Sequence, residues 1–119
     1  MYYSNFFIFL LPATTFAAQH VVEVGDDGKF IYNPDTVQAA TGDTVVFEFY
    51  PGGHSVAQST FDSPCQPATN GIWSGFFNPS SGKDSNVFEI TVNDTNPIWI
   101  YCAQVGHCNS GMAMVINPP

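Results

Sequence analysis

Residues 98–117 read IWIYCAQVGHCNSGMAMVIN, which places a polar loop between two short apolar runs. The runs predict β-strands at 98–102 and 111–117, because they are rich in Ile, Val and aromatic residues and are bounded by Pro, Gly and Asn. Side chains alternate between the two faces of a strand, so Cys102 shares a face with the isoleucines at 98 and 100. We therefore expect Cys102 to point toward the core.

The rest of the chain has the same character, with short apolar runs and turn residues but no sustained helical period. Further strands are predicted at 20–24, 30–32, 36–40, 44–50, 54–59 and 87–92. The stretch 60–86 is rich in Ser, Pro, Gly and Asn and is predicted to be a long irregular insert. The expected fold is all-β: a two-sheet Greek-key sandwich or barrel of about seven or eight strands.

Length and charge limit the function. The chain has 119 residues, 10 acidic side chains and 2 lysines, which gives a formal net charge of −8. This length predicts one domain, and the 45% hydrophobic content is enough to fill a core. A net charge this negative argues against nucleic acid or an anionic membrane as a partner, because both are negatively charged themselves. A cationic partner or simple solubility fits better, and a monomer is expected.

The first 17 residues resemble a secretory signal peptide, although they contain no Lys or Arg. Residues 6–11 read FFIFLL, and small residues follow, so cleavage is predicted after Ala17. The alternative interpretation is that this apolar segment forms a buried first strand or helix of the domain. Cleavage would leave a domain of residues 18–119 in an oxidising extracellular compartment, where disulfides persist. No later segment looks transmembrane, and the end at Pro118-Pro119 shows no membrane-anchor signal.

One sequence motif predicts a modification. Asn93-Asp94-Thr95 matches the acceptor pattern for N-linked glycosylation, and secretion would expose it to that machinery. Asn93 is therefore a candidate glycosylation site, which would place its turn at the surface.

The loop in residues 98–117 carries the chemistry. Cys102, His107 and Met112 place a thiol, an imidazole and a thioether five residues apart. With only three His and three Met in the chain, chance produces this spacing with a probability of roughly 0.002. A trigonal set of two His and one Cys with a weak axial Met describes a blue-copper centre. The loop therefore predicts a copper site that needs a second histidine.

Two histidines could complete the site. His54 follows Pro51-Gly52-Gly53 at the end of the strand 44–50, where a turn would hold it rigidly, whereas His20 lies near the cleavage region. We therefore favour His54. Each candidate also has an alternative interpretation without a metal: Cys102 as an inert buried thiol, His54 as a residue of a surface turn and Met112 as an ordinary core residue. Met114, on the same strand face, is an alternative to Met112.

These residues carry a resemblance to a known family. Gly42-Asp43-Thr44-Val45 leading to His54, then Cys65, then Cys102-x4-His107-Cys108-x-x-Gly111-Met112 resembles cupredoxins of the phytocyanin type. The greatest similarity is to fungal extracellular cupredoxin-domain proteins of the serine-rich type. The resemblance covers about residues 20–117. This chain shows neither the long Ser-rich tail nor the anchor signal that many of those relatives carry.

The resemblance implies specific roles. His54, Cys102 and His107 would be equatorial copper ligands, and Met112 would be the axial ligand. It also implies a disulfide between Cys65 and Cys108. Three cysteines allow three pairings, and this pairing leaves the inward-facing Cys102 free.

The sequence leaves three functions in competition. The first is a secreted single-electron carrier with one copper per chain and an unknown redox partner, which could offer a basic docking surface. The second is an extracellular copper-binding, scavenging or surface interaction module without an electron partner. The third, which we disfavour, is a copper enzyme with His20 as its N-terminal ligand, because cleavage after Gln19 would be required. We expect no enzymatic activity.

Overall fold

The computed structural model describes residues 16–119, so most of the predicted signal peptide lies outside the described residues. Eight strands and two single-turn 3-10 helices, Asp26–Gly28 and Cys108–Ser110, follow along the chain. The strands are β1 Gln19–Val24, β2 Tyr32–Asn33, β3 Thr36–Val37, β4 Thr44–Phe49, β5 Ala57–Ser59, β6 Val87–Thr91, β7 Ile98–Tyr101 and β8 Ala113–Ile116. Across 16–119, none of the helical segments has the length and apolar character needed to cross a membrane.

The strands form two four-stranded sheets. One has the order β2-β1-β4-β6 and the other has the order β3-β8-β7-β5. Both are mixed, because β1 runs parallel to β4 and β3 runs parallel to β8, while the remaining pairs are antiparallel. The all-β, two-sheet prediction is confirmed. The two parallel pairs, which join strands distant in sequence, were not predicted.

The core lies between the sheets and follows the alternation of the strands. Val45, Phe47 and Phe49 of β4 are fully buried, as the pattern predicted. Ile100 of β7 and Cys102 just beyond it are also buried, so the predicted inward face of this strand is correct. Each large apolar side chain buried in this way contributes about 1.5–3 kcal/mol to folding.

Three predicted strands begin later than expected, and one of them, the segment 111–117, becomes β8 only at Ala113. The segment 30–32 becomes β2 only at Tyr32, since Phe30 and Ile31 are exposed. The segment 54–59 becomes β5 only at Ala57, because His54 makes an isolated antiparallel bridge with Phe77. The insert 60–86 contains no strand, as predicted, but Phe77 and Trp73 bridge from it to His54 and Ala57.

Asp43 organises the end of the sandwich where β1 and β4 begin. Its carboxylate accepts hydrogen bonds from the backbone N–H of Ala18 and of Ala40, each at 2.9 Å. His20 Nε2 lies 2.9 Å from Oδ2 and donates to it, since a carboxylate can only accept. The hydrogen bond from His20, followed by those from the backbone, lowers the pKa of Asp43 below its ordinary 3.8.

This pKa shift predicts an acid-sensitive contribution to stability. Because the pKa of Asp43 is lower in the folded chain than in the unfolded chain, its stabilising effect is complete above about pH 4. The effect is lost as the pH falls through the folded-state pKa. We expect Asp43→Asn to lower the free energy of unfolding at pH 7 and to differ less from the parent protein at pH 2.5. Urea unfolding of the copper-free proteins at both pH values measures this.

Asp62→Asn is the matched control, since Asp62 is an exposed acid in the insert. It should leave the free energy of unfolding unchanged at both pH values. An Asp43→Asn deficit of the same size at pH 7 and pH 2.5 would show that the carboxylate charge does not stabilise the fold.

Candidate metal centre

Three donor side chains meet at the end of the sandwich where β1 and β4 finish. His54, Cys102 and His107 are all buried, and one ligand atom of each lies within 4.8 Å of the others. Atoms that bind one ion at about 2.0–2.3 Å lie no more than about 4.6 Å apart. The three side chains are therefore close enough to bind a single metal ion after shifts of a few tenths of an ångström.

Cys102 supplies the thiol. It follows β7 directly, is fully buried, and is the free cysteine of the described chain. Ser55 Oγ accepts the backbone N–H of Ala103 at 2.9 Å and lies 4.0 Å from Cys102 Sγ, so its own proton is free to point at the sulfur. Ser55 therefore ties the segment carrying His54 to the segment carrying Cys102.

His54 is held in one tautomer. Its Nε2 lies 3.2 Å from the carbonyl oxygen of Pro51, which can only accept, so Nε2 must carry the proton. Nδ1 then has a free lone pair, and this buried atom has no hydrogen-bond partner among the described residues. Burial, and to a smaller extent the neighbouring His107, lowers the pKa of His54 and favours the neutral ring. A neutral imidazole with one orphaned nitrogen is the form that binds a metal.

Two glycines hold the His54 ring in place. Both have positive φ, 77° at Gly25 and 129° at Gly52. A Cβ added at Gly25 would overlap Nε2 of His54, and one added at Gly52 would lie 2.7 Å from the same atom. Glycine is therefore required at both positions for the backbone to approach the ring this closely.

His107 lies in the loop between β7 and β8. Its Nδ1 is 3.5 Å from Cys102 Sγ, and its ring centroid is 5.0 Å from that of His54. Phe30 stacks on the ring at 3.9 Å with an interplanar angle of 21°. Burial lowers the pKa of His107, so this ring is also biased toward the neutral, metal-binding form.

Met112 is placed by the backbone of the same loop. Its N–H donates to the carbonyl of His107 at 3.1 Å, and its carbonyl accepts the N–H of Cys102 at 3.2 Å. Met112 is fully buried. The alternative, Met114, is also buried but pairs with Ile100 one step further along the sheet. The hydrogen bonds to Cys102 and His107 make Met112 the better candidate for a fourth ligand.

The disulfide implied by the resemblance is present. Cys65 and Cys108 are bonded across a separation of 43 residues, with their Cα atoms 5.8 Å apart. In the chain-entropy view, closing a loop of this length contributes about 4 kcal/mol to stability. Because Cys108 directly follows His107, the disulfide also anchors the loop to the insert.

The insert supports His54 from the other side. The backbone N–H and carbonyl of His54 exchange hydrogen bonds with Phe77 at 3.0 and 2.9 Å. The Phe77 ring stacks on Phe49 with centroids 4.0 Å apart. Trp73 and Phe76, by contrast, are exposed and pack against each other.

His20 does not belong to this centre. It lies near the start of β1, whereas Gly25, just after β1 ends, contacts His54. At about 3.3 Å per residue, His20 is roughly 16 Å away along the strand. Its ring nitrogen is engaged by Asp43.

Sequence reasoning missed three residues of the centre. Phe30 covers His107, Ser55 links the two ligand segments, and Gly25 makes room for His54. The pairing of β1 with β4 brings Gly25 to His54, and no local signal marks it. For Ser55, the signal available in the sequence was that this polar residue directly follows His54.

Comparison with known proteins gives relatives of this chain. No protein-family model matches it. It is 36% identical over 105 residues to a "Probable GPI-anchored cupredoxin-1" of Arthroderma benhamiae and 41% identical over 100 residues to an "Extracellular serine-rich protein" of the same fungus. The matches cover 87% and 82% of this chain but only 54% and 38% of the relatives. The chain therefore spans about half of one relative and less of the other.

Solved structures share the fold. Spinach plantacyanin superposes with a TM-score of 0.58 at 21% identity, covering 86% of this chain and 100% of that protein. Auracyanin A, a "blue" copper protein from Chloroflexus aurantiacus, superposes with a TM-score of 0.60 at 12% identity, covering 84% and 97%. The arrangement of strands described above is therefore the one found in these proteins.

The contact between Gly25 and His54 predicts a loss of metal affinity. Gly25→Ala should push the His54 ring away and lower the affinity for copper by about 10- to 100-fold, the usual cost of disturbing a group that orients a ligand. Gly28→Ala is the matched control, because Gly28 also has positive φ, 67°, but a Cβ there meets no atom within 4 Å.

Both variants should lose about 1 kcal/mol of stability from the left-handed backbone. Gly25→Ala should lose more than Gly28→Ala, because its Cβ displaces the buried His54 ring. Only Gly25→Ala should also weaken copper binding. Competition titration with a copper chelator measures affinity, and thermal unfolding of the copper-free proteins measures stability. Equal copper affinities for the two variants would contradict the proposed role of Gly25 in positioning the His54 ring.

Proposed function

From the premise that this chain has the cupredoxin fold and is homologous to fungal cupredoxin and extracellular serine-rich proteins, we propose that it is a secreted blue copper protein that carries single electrons. The observation that carries the proposal is the cluster of His54, Cys102 and His107, with their ligand atoms within 4.8 Å. The orphaned, buried Nδ1 of His54 supports it, since a metal ion would satisfy that atom.

The donor set fits copper. His54, Cys102 and His107 would hold the ion, and the thioether of Met112 would supply a weaker fourth donor. When bound, the copper ion would supply one-electron chemistry by alternating between Cu(II) and Cu(I). Thiolate and thioether are soft donors that suit Cu(I), while imidazole suits both oxidation states.

The chain supplies rigidity to the site. Gly25 and Gly52 confine the His54 ring, backbone hydrogen bonds join Cys102, His107 and Met112, and the disulfide anchors the loop at residue 108. Side chains held this way have little freedom to rearrange when the charge of the site changes. Small rearrangement favours fast electron transfer.

His107 and Phe30 are the proposed route for electrons. His107 is buried, but Phe30, whose ring stacks on it, is 43% exposed. Asp26 and Asp27 lie in the same turn, between Gly25 and Phe30. We infer that an electron-transfer partner contacts this end and that a basic surface on the partner would complement these acids.

The cellular location is part of the proposal. Residues 1–17 would act as a secretory signal, and residues 18–119 would form the exported copper-binding domain, which we expect to be monomeric. The extracellular or GPI-anchored fungal relatives and the disulfide support this location, since disulfides persist outside the cytosol. We propose a carrier rather than an enzyme, and no nucleic-acid partner for a chain of charge −8.

Absorption and electron-spin-resonance spectra of the copper-loaded protein test the proposal. We expect an intense blue band from the Cys102 thiolate and narrow copper hyperfine splitting. Cys102→Ser should abolish the band almost completely, because serine oxygen is a poor donor to copper at neutral pH. Cyclic voltammetry should show reversible one-electron reduction. Copper binding without the blue band would contradict the blue-copper assignment. A blue band without reversible reduction would favour a copper-binding module without an electron partner.

Substitution of Met112 tests its proposed role as the fourth ligand. Met112→Gln supplies an amide oxygen, a harder donor that favours Cu(II), so the reduction potential should fall while copper stays bound. Met112→Leu removes the donor and should raise the potential. Met114→Leu is the control at the neighbouring inward-facing position and should leave the potential unchanged. If Met112→Gln and Met112→Leu both leave the potential unchanged, Met112 is not a ligand.

A further inference from the structure

A cleft of about 350 Å³ lies at the side of the sandwich. It opens between the edge strand β6 of one sheet and the edge strand β5 of the other. Its walls include Ile72, Ile90 and Ile98, which pack against the core but are only half-buried. The outer surfaces of these isoleucines therefore face the cleft without a covering segment from the described chain.

The rim of the same cleft carries the candidate glycosylation site. Asn93 is exposed in the turn between β6 and β7, and Asn96 also lines the rim. The carboxylate of Asp94 accepts the backbone N–H of Asn96 at 2.9 Å, which shapes the turn around the acceptor. The sequon Asn93-Asp94-Thr95 thus lies beside a cleft with both isoleucines and polar side chains on its walls, and it is accessible to solvent.

We propose that Asn93 carries an N-linked glycan and that its first N-acetylglucosamine lies in this cleft, covering the isoleucines. The proposal rests on the proposed secretion. In the linking step, Nδ2 of Asn93 forms a bond to C1 of the sugar, and the bond from C1 to a lipid-linked diphosphate breaks. The amide nitrogen loses one proton, and the lipid diphosphate leaves with the bonding electron pair.

The shape and chemistry of the cleft suit this occupant. Its volume is at the small end of ligand sites, about 300–1,000 Å³, which is appropriate for one or two sugar rings. The apolar face of a sugar can pack on the isoleucines, while Gln58, Thr91 and Asn96 offer polar groups to its hydroxyls. Covalent attachment at the rim gives the sugar a high effective concentration there.

A glycan here would also protect a sheet edge. Strand β6 ends its sheet and presents backbone groups that can pair with another chain, whereas residues of the insert already pair with the outer edge of β5. A bulky polar group over the cleft blocks such pairing. Asn93 lies near the start of β4, because Thr91 pairs with Thr44, so it is at the end opposite the metal centre. The glycan therefore stabilises the fold without touching the ligands.

Secretion of the full chain from a yeast host tests the proposal. Intact mass should show a glycan that peptide N-glycosidase removes, and Asn93→Gln and Thr95→Ala should both lack it. Thr95→Ser should keep it, because serine also completes the acceptor pattern. The glycosylated protein should unfold about 4 °C above Asn93→Gln. Amide exchange should be slower in 87–92 when the glycan is present.

A displaced glycan is the matched control. Lys83→Asn in the Asn93→Gln background creates a new acceptor before Asp84-Ser85, away from the cleft. That glycan should give neither the thermal shift nor the exchange protection. Secreted protein without a glycan at Asn93, a glycan there without these effects, or equal effects from position 83 would each overturn the proposal. The copper(II) absorption band should be the same in every variant, so failure here is distinguishable from failure of the copper site.

Discussion

The parallel pairing of β1 with β4 is the constraint on which the candidate metal centre depends. Six residue pairs, from Gln19 with Thr44 to Val24 with Phe49, hold the two strands in register. Both strands therefore finish at the same level, and the turns that follow them meet. One turn brings Gly25 and the other brings His54, and the absence of a side chain at Gly25 lets the ring lie against the backbone. A register shift of one residue would turn Val45, Phe47 and Phe49 to the opposite face.

Around this contact the chain arranges polar groups so that His54, a candidate ligand, keeps one free donor atom. Pro51 fixes the proton of His54 on Nε2 and leaves Nδ1 unpartnered among the described residues. Leaving a buried polar atom unsatisfied costs about 1–3 kcal/mol. The disulfide, the core aromatics and the hydrogen bonds of the Cys102 loop offset this cost. The free Nδ1 of His54 is therefore already in place for the proposed metal ion.

The two ends of the sandwich carry different groups of residues. At one end, Asp43 and its hydrogen-bond donors close the start of β1 and β4, and Asn93 lies nearby with its exposed turn. At the other end, buried histidines and the thiol meet beneath the exposed ring of Phe30. About five residues of strand separate the ends, so changes at one end can leave the other undisturbed.

The sequence by itself determined the all-β class, the inward face of β4, the insert and the spacing of Cys102, His107 and Met112. These features are local: alternation with a period of two and ligand spacing within one loop can be read along the chain. Only the tertiary structure decided that Phe30 covers His107, that Gly25 contacts His54, and that β1 and β4 run parallel. These contacts join residues far apart in sequence. They depend on strand pairing and packing between sheets, which no local pattern encodes.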